Sequence, residues 1–133
     1  MNTETINRLR NVLTERRGEL QRELAHLEDE LRDLSVEQDD ERGGTGNHFA
    51  DDGSSLGEQE RISTIGGDFR EQVTQIDQAL ERIAEGTYGT CRRCNQEIAE
   101  ERLEAIPYAP YCIHCQMHLE RQAELFGAAP IVN

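Results

Sequence analysis

Residues 91–115 of this chain read CRRCNQEIAEERLEAIPYAPYCIHC and contain all four of its cysteines. They form two Cys-x-x-Cys pairs, Cys91 with Cys94 and Cys112 with Cys115, separated by seventeen residues. A two-residue gap lets both thiolates of a pair face one metal ion, and the intervening loop brings up the second pair. Because this spacing is typical of structural zinc sites, the sequence predicts one Zn²⁺ per chain, bound by the four thiolates.

Three other interpretations of these residues are weaker. Two disulfides would suit an exported protein, but residues 2–5 are polar and no apolar signal region follows, so we expect the cytoplasm. A thioredoxin-like redox pair requires a βαβ context that the sequence lacks. His114 and His118 lie beside the second pair, but four cysteines already complete a tetrahedron. A closed site leaves no position on the metal to activate water, so we expect no enzyme.

The composition excludes several classes of function. The chain has 133 residues, which is enough for one modest domain. Its 35% hydrophobic and 5% aromatic content, with no Trp, allows only a small core, so we expect metal binding and helix packing to stabilise the fold. Its 27 acidic and 14 basic residues give a formal charge of −13, which opposes binding along a phosphate backbone. No apolar run approaches the length of a membrane span. We therefore expect neither direct DNA binding nor membrane association.

Two long helical stretches precede the cysteines. The first is predicted from about Thr5 to Asp40, and the second from Ser55, where Ser-Leu-Gly-Glu fits a capping box, to Glu85. Residues 41–54 carry four glycines among polar residues and predict a loop. Each helical stretch has an apolar stripe at three- and four-residue steps. The stripes are Ile6, Leu9, Leu13, Leu20, Leu24, Leu27, Leu31 and Leu34, with Arg17 as a polar member, and then Ile62, Ile65, Phe69, Val73, Ile76, Leu80 and Ile83.

The two stripes together predict an antiparallel coiled-coil hairpin. Each pair, from Leu34 with Ile62 to Leu13 with Ile83, has residue numbers that add up to 96 or 97. A constant sum indicates antiparallel pairing, and its midpoint, His48, falls inside the predicted loop. Two unrelated amphipathic helices or an intermolecular coiled coil are the alternatives. We expect a monomeric hairpin, since such polar helices are otherwise poorly buried.

The remaining residues predict a compact base and a short helix. Residues 114–126 predict a C-terminal helix that packs on the base through Met117, Leu119, Ala123, Leu125 and Phe126. A small core around the metal is expected from Tyr88, Ile98, Leu103, Ile106, Tyr108 and Tyr111.

The predicted fold is therefore mainly α, a long antiparallel coiled-coil hairpin with a small four-cysteine zinc finger and a short C-terminal helix. Its predicted parts are residues 1–86 with an acidic tip loop at 41–54, the zinc-finger region 87–126 and a tail 127–133.

The run ALERIAEGTYGTC at residues 79–91 resembles the DksA/TraR family, as do Ile98, RLEA at 102–105, Pro107 and the second cysteine pair. The resemblance covers residues 55–126 most closely, and the first helix is similar in pattern only. The chain is similar to a short, DksA-like or general-stress-type member.

This resemblance implies a regulator of core RNA polymerase that acts through the secondary channel with its coiled-coil tip, without sequence-specific DNA contact. In responsive members the tip bears Asp-x-x-Asp-x-Ala. Matched without gaps, the second Asp falls on Asp51, the first on His48 and the Ala on Gly53, and Asp52 adds a neighbouring carboxylate. These four residues are the implied contact with the polymerase active site.

The resemblance also leaves points open. Some members hold the alarmone guanosine tetraphosphate with basic residues, but the matching positions here are Gln75, Ile106 and Gln116, so we expect weak or no alarmone response. One alternative function is a Gre-like stimulator of transcript cleavage, in which Asp51 and Asp52 hold a second magnesium ion. Another is a structural or stress-related zinc coiled-coil adaptor with a different partner. The target promoters and the sign of the effect do not follow from the sequence.

Overall fold

The structure is a computed structural model that describes residues 1–42 and 49–126, with side chains described over 1–35 and 56–126. These residues form four helices, α1 (Thr3–Arg42), α2 (Phe49–Glu85), α3 (Glu100–Ala105) and α4 (Ile113–Leu125). Extended pairing within the described ranges is limited to an isolated antiparallel bridge between Thr90 and Glu97. The predicted fold, mainly α with two long packed helices, a four-cysteine cluster and a short C-terminal helix, is confirmed.

The apolar stripes of α1 and α2 form the packed faces of the two helices. All predicted stripe members are buried or half-buried. The least exposed are Leu9, Leu13, Leu20 and Ile62 at 1% and Ile76 at 0%. Burial of such side chains contributes roughly 1.5–3 kcal/mol each, which offsets the weak tendency of polar helices to form alone.

Two compact units make up the chain, Gly18–Val73 and the combination of Met1–Arg17 with Thr74–Asn133. In the first unit, the predicted pair Leu34 and Ile62 lines one groove. In the second unit, the Arg17 Nε donates to the Asp77 Oδ1 at 2.5 Å, so the polar member of the α1 stripe forms an ion pair with α2. The predicted domain limits at residues 86 and 126 stay predictions.

The predicted start of the second helix at Ser55 is wrong, because α2 begins at Phe49. Helix α1 also extends to Arg42, past the predicted Asp40, so the predicted loop is shortened from both sides. Aspartates, as at positions 51 and 52, are favoured in the first turn of a helix because their charge complements the helix dipole. The capping-box pattern at Ser55 therefore lies inside α2 and does not mark its start. The short helix α3 was not predicted, although Glu, Arg, Leu and Ala are all good helix formers.

Gly86 ends α2 as predicted. Its φ of +81° places it in the left-handed region, where a side chain is strained. The Gly86 N–H donates to the Ile83 carbonyl at 3.3 Å, and the Thr87 N–H donates to the Arg82 carbonyl at 2.9 Å. This pair of bonds is the Schellman arrangement that satisfies the last carbonyls of a helix. It turns the chain sharply from α2 into the cysteine region.

Replacing Gly86 by alanine is therefore expected to lower the free energy of unfolding by about 1 kcal/mol. A Cβ at Gly86 has no atom within 4 Å, so the expected loss comes from the backbone alone. Gly67→Ala is the matched control, since Gly67 is helical, has φ outside the left-handed range and also has open space around its Cβ. The control should gain about 0.5–1 kcal/mol in a urea titration. Equal effects of the two substitutions would contradict this account of Gly86.

Candidate metal centre

The first cysteine pair lies in a turn closed by the isolated bridge between Thr90 and Glu97. The Cys91 N–H donates to the Gln96 carbonyl at 2.8 Å, and the Asn95 N–H donates to the Cys91 carbonyl at 3.0 Å. Asn95 has a φ of +61°, a conformation that asparagine tolerates better than most residues. The turn therefore folds back immediately after Cys94 and brings both thiols of the pair to one side.

The second pair is placed by a helix. Cys112 is the N-cap of α4, and Cys115 lies in the first turn of that helix. The Gln116 N–H donates to the Cys112 carbonyl at 2.9 Å. The partial positive charge of a helix N-terminus therefore lies beside this pair of sulfurs.

The four sulfur atoms converge on one point. All of them lie within 4.8 Å of one another, and the Sγ atoms of Cys94 and Cys112 are 3.9 Å apart. A tetrahedral zinc ion with Zn–S bonds of about 2.3 Å separates its sulfurs by about 3.8 Å. The sulfurs are too far apart for S–S bonds of about 2.05 Å, and the four cysteines are free. The donor set therefore fits Zn²⁺ and argues against the two disulfides.

The surroundings favour a thiolate at Cys91, whereas at Cys115 the lowering effect of Arg93 is outweighed by burial and by hydrogen bonds with the other three thiols, which raise the pKa of Cys115 to about 11. Cys91 is fully buried, and burial alone would raise its pKa. Hydrogen bonds from the backbone of Cys94, Cys112 and Arg93 outweigh burial and lower the pKa of Cys91 to about 6. A thiolate at this position is thus favoured near neutral pH, which is the form that binds zinc.

Arg93 supports the cluster from outside. Its Nη1 donates to the Sγ of Cys115 at 3.6 Å, so a guanidinium from the turn between Cys91 and Cys94 contacts a ligand of the second pair. Zn²⁺ with four thiolates carries a formal charge of −2, which a neighbouring guanidinium partly offsets. The cysteine spacing does not predict this role of Arg93, since spacing predicts ligands and gives no information about the groups around them.

We expect Arg93→Gln to weaken zinc retention. Loss of a group that supports metal ligands typically lowers metal affinity about 10- to 100-fold. The measurement is transfer of zinc to a chromogenic chelator at fixed pH and chelator concentration. Arg92→Gln is the matched control, because it removes the same charge from the adjacent residue and Arg92 has no hydrogen bond to sulfur among the described contacts. Equal zinc transfer from the two variants would contradict the role of Arg93.

A small core holds the cluster in place. Tyr88, Ile98 and Leu103 are buried as predicted, and Ile106, Tyr108 and Tyr111 are half-buried. The Tyr88 hydroxyl donates to the Pro107 carbonyl at 2.7 Å, and the Arg102 Nε donates to the Tyr111 carbonyl at 2.9 Å. These bonds fix the segment between the two cysteine pairs.

Helix α3 is tied to the start of α1 by one arginine–carboxylate pair. The Nη1 and Nη2 of Arg8 donate to the two carboxylate oxygens of Glu104 at 2.8 and 2.5 Å. A bidentate pair fixes orientation as well as distance. It therefore positions the segment that carries Leu103.

Tyr88 gives the base a dependence on alkaline pH. Burial raises the pKa of its phenol to about 12, above the ordinary value of 10.0. The folded state therefore holds this proton more tightly than the unfolded state. Its contribution to stability is complete below pH 10 and is lost as the pH rises towards 12. Tyr88→Phe should flatten the fall in unfolding free energy over that interval. An unchanged slope in Tyr88→Phe would contradict this assignment.

The structure also corrects and limits several predictions. Of the residues predicted to pack α4 onto the base, Leu119 and Ala123 are half-buried, but Met117, Leu125 and Phe126 are 50%, 77% and 85% exposed. Apolar spacing on a short helix does not identify which face has a neighbour. His114 and His118 are exposed, and neither belongs to the sulfur cluster.

The predicted tip residues fall outside the part whose side chains are described. His48 lies between the described ranges, and Asp51, Asp52 and Gly53 lie within α2 with no side-chain description. Two buried polar residues near the base, Arg82 and Gln116, were not predicted to be buried. Arginine and glutamine are usually exposed, so their residue types do not indicate burial.

Comparisons with known proteins agree with this geometry. Residues 86–121 match the model of the prokaryotic dksA/traR C4-type zinc finger, so the four cysteines form one zinc site. General stress protein 16O of Bacillus subtilis is 33% identical over 106 residues, which are 80% of this chain and 65% of that protein. The RNA polymerase-binding transcription factor DksA of Caulobacter vibrioides is 40% identical over 53 residues, 40% of this chain and 37% of that protein. The chain thus spans less than two thirds of the length of these two relatives.

A solved structure extends the likeness beyond the finger. The transcription factor DksA2 from Pseudomonas aeruginosa superposes with a TM-score of 0.75 and 28% identity, over 93% of this chain and 89% of that one. Among the described residues, no helix is long and apolar enough to cross a membrane.

Proposed function

The chain belongs to the DksA/TraR family of C4-type zinc-finger proteins, and from this premise we propose that it is a transcription regulator that binds core RNA polymerase. The observation that carries the proposal is the likeness to DksA2, which takes in 93% of the chain and so the long helices as well as the finger. The relative from Caulobacter vibrioides, named as RNA polymerase-binding, supports the choice of partner.

In this proposal the hairpin enters the secondary channel of the polymerase and the zinc finger holds its base. Residues His48, Asp51, Asp52 and Gly53 then contact the active-site region. The formal charge of −13 supports action without DNA contact, because cationic side chains supply most of the affinity for a phosphate backbone. The protein acts in the cytoplasm, as a monomer and without catalysis of its own.

The alarmone response is proposed to be weak. Gln116 is 3% exposed, and its Nε2 donates to the Glu120 Oε1 at 2.9 Å. Ile106 has no polar group, and Gln75 carries no charge. A polyphosphate would therefore find no cation at these three positions.

The test is an initiation assay with purified polymerase and the zinc-loaded chain. The chain should change the yield of initiated transcripts, and Asp51→Asn with Asp52→Asn should remove most of that effect while polymerase binding persists. The matched control is Glu23→Gln with Glu28→Gln, which removes the same charge from exposed positions on α1. The control should behave as the unchanged protein.

Two other outcomes separate the alternatives. Release of short 3′ fragments from a backtracked complex, lost in the double aspartate variant, would favour the Gre-like function. Failure to co-purify with core polymerase would favour an adaptor with another partner and overturn the proposal.

A further inference from the structure

A cleft of about 470 Å³ lies between the end of α2 and the first cysteine pair. Arg82 lines it from the helix, and Arg92 lines it from the turn between Cys91 and Cys94. Thr87, Thr90 and Asn95 add polar groups to the wall. The cleft lies wholly within the Thr74–Asn133 part of one compact unit, and the function proposed above assigns it no role.

Arg82 is the unusual member of this cleft. It is only 9% exposed, and its Nη2 is buried without a hydrogen-bond partner among the described residues. Elsewhere in the described part of the chain, the exposed Arg8 and the half-buried Arg17 pair with carboxylates. Arg82 pairs with no carboxylate among the side chains that the structure describes, although Glu81 and Glu85 line the same cleft. A buried guanidinium without a counter-ion is costly, so this position favours an anion from outside the chain.

Arg92 adds a second cation to the same wall. It is exposed, and no carboxylate of the described part of the chain pairs with it. Burial first, and the charge of Arg92 second, lower the pKa of Arg82, which places the two guanidinium groups within electrostatic reach of each other. Two arginines that share a cleft are suited to planar oxyanions, because each presents parallel N–H donors.

The other charges around the cleft select the kind of anion. Glu81 and Glu85 formally balance the two arginines, and Cys91 connects the wall to a zinc–thiolate centre of formal charge −2. A dianionic phosphate group would meet repulsion from both sources, whereas a carboxylate brings a single charge. We propose that this cleft is a binding site for one carboxylate group, held by Arg82 and Arg92.

The direct test uses sodium acetate as the probe and the zinc-loaded full chain. The Nε–Hε signals of Arg82 and Arg92 are followed by NMR against sodium chloride at matched ionic strength. Acetate should shift both signals with saturation, and inorganic phosphate should bind more weakly. Arg92→Gln, an exposed change that spares the buried Arg82, should weaken acetate binding about tenfold, as expected for loss of a charged hydrogen bond. Arg121→Gln, an exposed arginine on α4, should not.

Shifts no larger than those with chloride, equal acetate binding by Arg92→Gln, or tighter binding of phosphate than of acetate would each overturn the proposal. The opposite effects expected of the Arg92 and Arg93 variants on acetate and zinc binding also separate this site from the zinc centre. Arg92→Gln should bind acetate more weakly and retain zinc. Arg93→Gln should release zinc more readily, but its zinc-loaded form should still bind acetate.

A second measurement distinguishes the source of the carboxylate, and it alone rests on the proposed function. If the group is an acidic side chain of core polymerase, Arg92→Gln should weaken polymerase binding about tenfold relative to Arg121→Gln. If the two variants bind polymerase equally and acetate still saturates, a small carboxylate is the ligand. Absence of polymerase binding by the unchanged chain would sink the proposed function and leave the acetate result intact.

Discussion

Replacing Cys91 by serine should abolish stable zinc binding and the fixed structure of residues 86–126. Cys91 is fully buried within a cluster whose four sulfurs all lie within 4.8 Å. Structural zinc in finger peptides contributes roughly 10–16 kcal/mol at neutral pH, far more than the apolar groups around this small base can replace. Most far-UV helical signal should remain, because α1 and α2 contain 40 and 37 residues and have their own apolar contacts.

The measurements are zinc content of the purified chain and dispersion of amide NMR signals from the base. His114→Ala is the matched control, since His114 is an exposed metal-ligand type between Cys112 and Cys115. It should retain one zinc per chain. Loss of all helical signal on removal of zinc would contradict the separate stability of the hairpin, and one zinc retained in Cys91→Ser would contradict the four-cysteine assignment.

Replacing Ile76 by alanine should lower the free energy of unfolding by about 2–5 kcal/mol. Ile76 is 0% exposed on the apolar face of α2, so the shortened side chain leaves a cavity that the surrounding helices fill only in part. A loss of this size is a large fraction of the stability of a small domain.

Ile113→Ala provides the comparison, because the same three carbon atoms are removed from a side chain that is 49% exposed. We expect a change of about 0.5 kcal/mol or less, as for most surface substitutions. Both variants are compared by urea denaturation with zinc bound. Similar losses would show that the stripe of α2 is not the packed face of the hairpin.

Much of the hairpin was predictable because helix periodicity and burial act together. Leu13 and Leu20 recur at the spacing that places them on one face of α1, Ile76 lies on the apolar face of α2, and each is nearly inaccessible in the structure. The end of α2 was predictable for a different reason, since Gly86 is the residue type that accepts a positive φ without strain. Such signals are local and depend on a few residues only.

The zinc site was predictable because metal coordination restricts both residue type and spacing. The cysteine pattern predicts the ligands, but it does not predict that Arg93 reaches the Cys115 sulfur or that Arg82 is buried. Those placements depend on how the segments pack in three dimensions, and an arginine in a sequence reads as a surface residue. For the same reason, the apolar residues Leu125 and Phe126 were assigned to a packed face that the structure does not give them.

The most direct test of the central claim is a photo-crosslink from the proposed tip to core RNA polymerase. A benzophenone amino acid at position 50 leaves Asp51 and Asp52 intact, and the zinc-loaded chain is irradiated with core enzyme in the absence of DNA. We predict adducts to polymerase segments that line the secondary channel next to the active site, and their loss when Cys91→Ser is added. No adduct at micromolar concentrations, or adducts confined to the outer surface of the polymerase, would contradict the account.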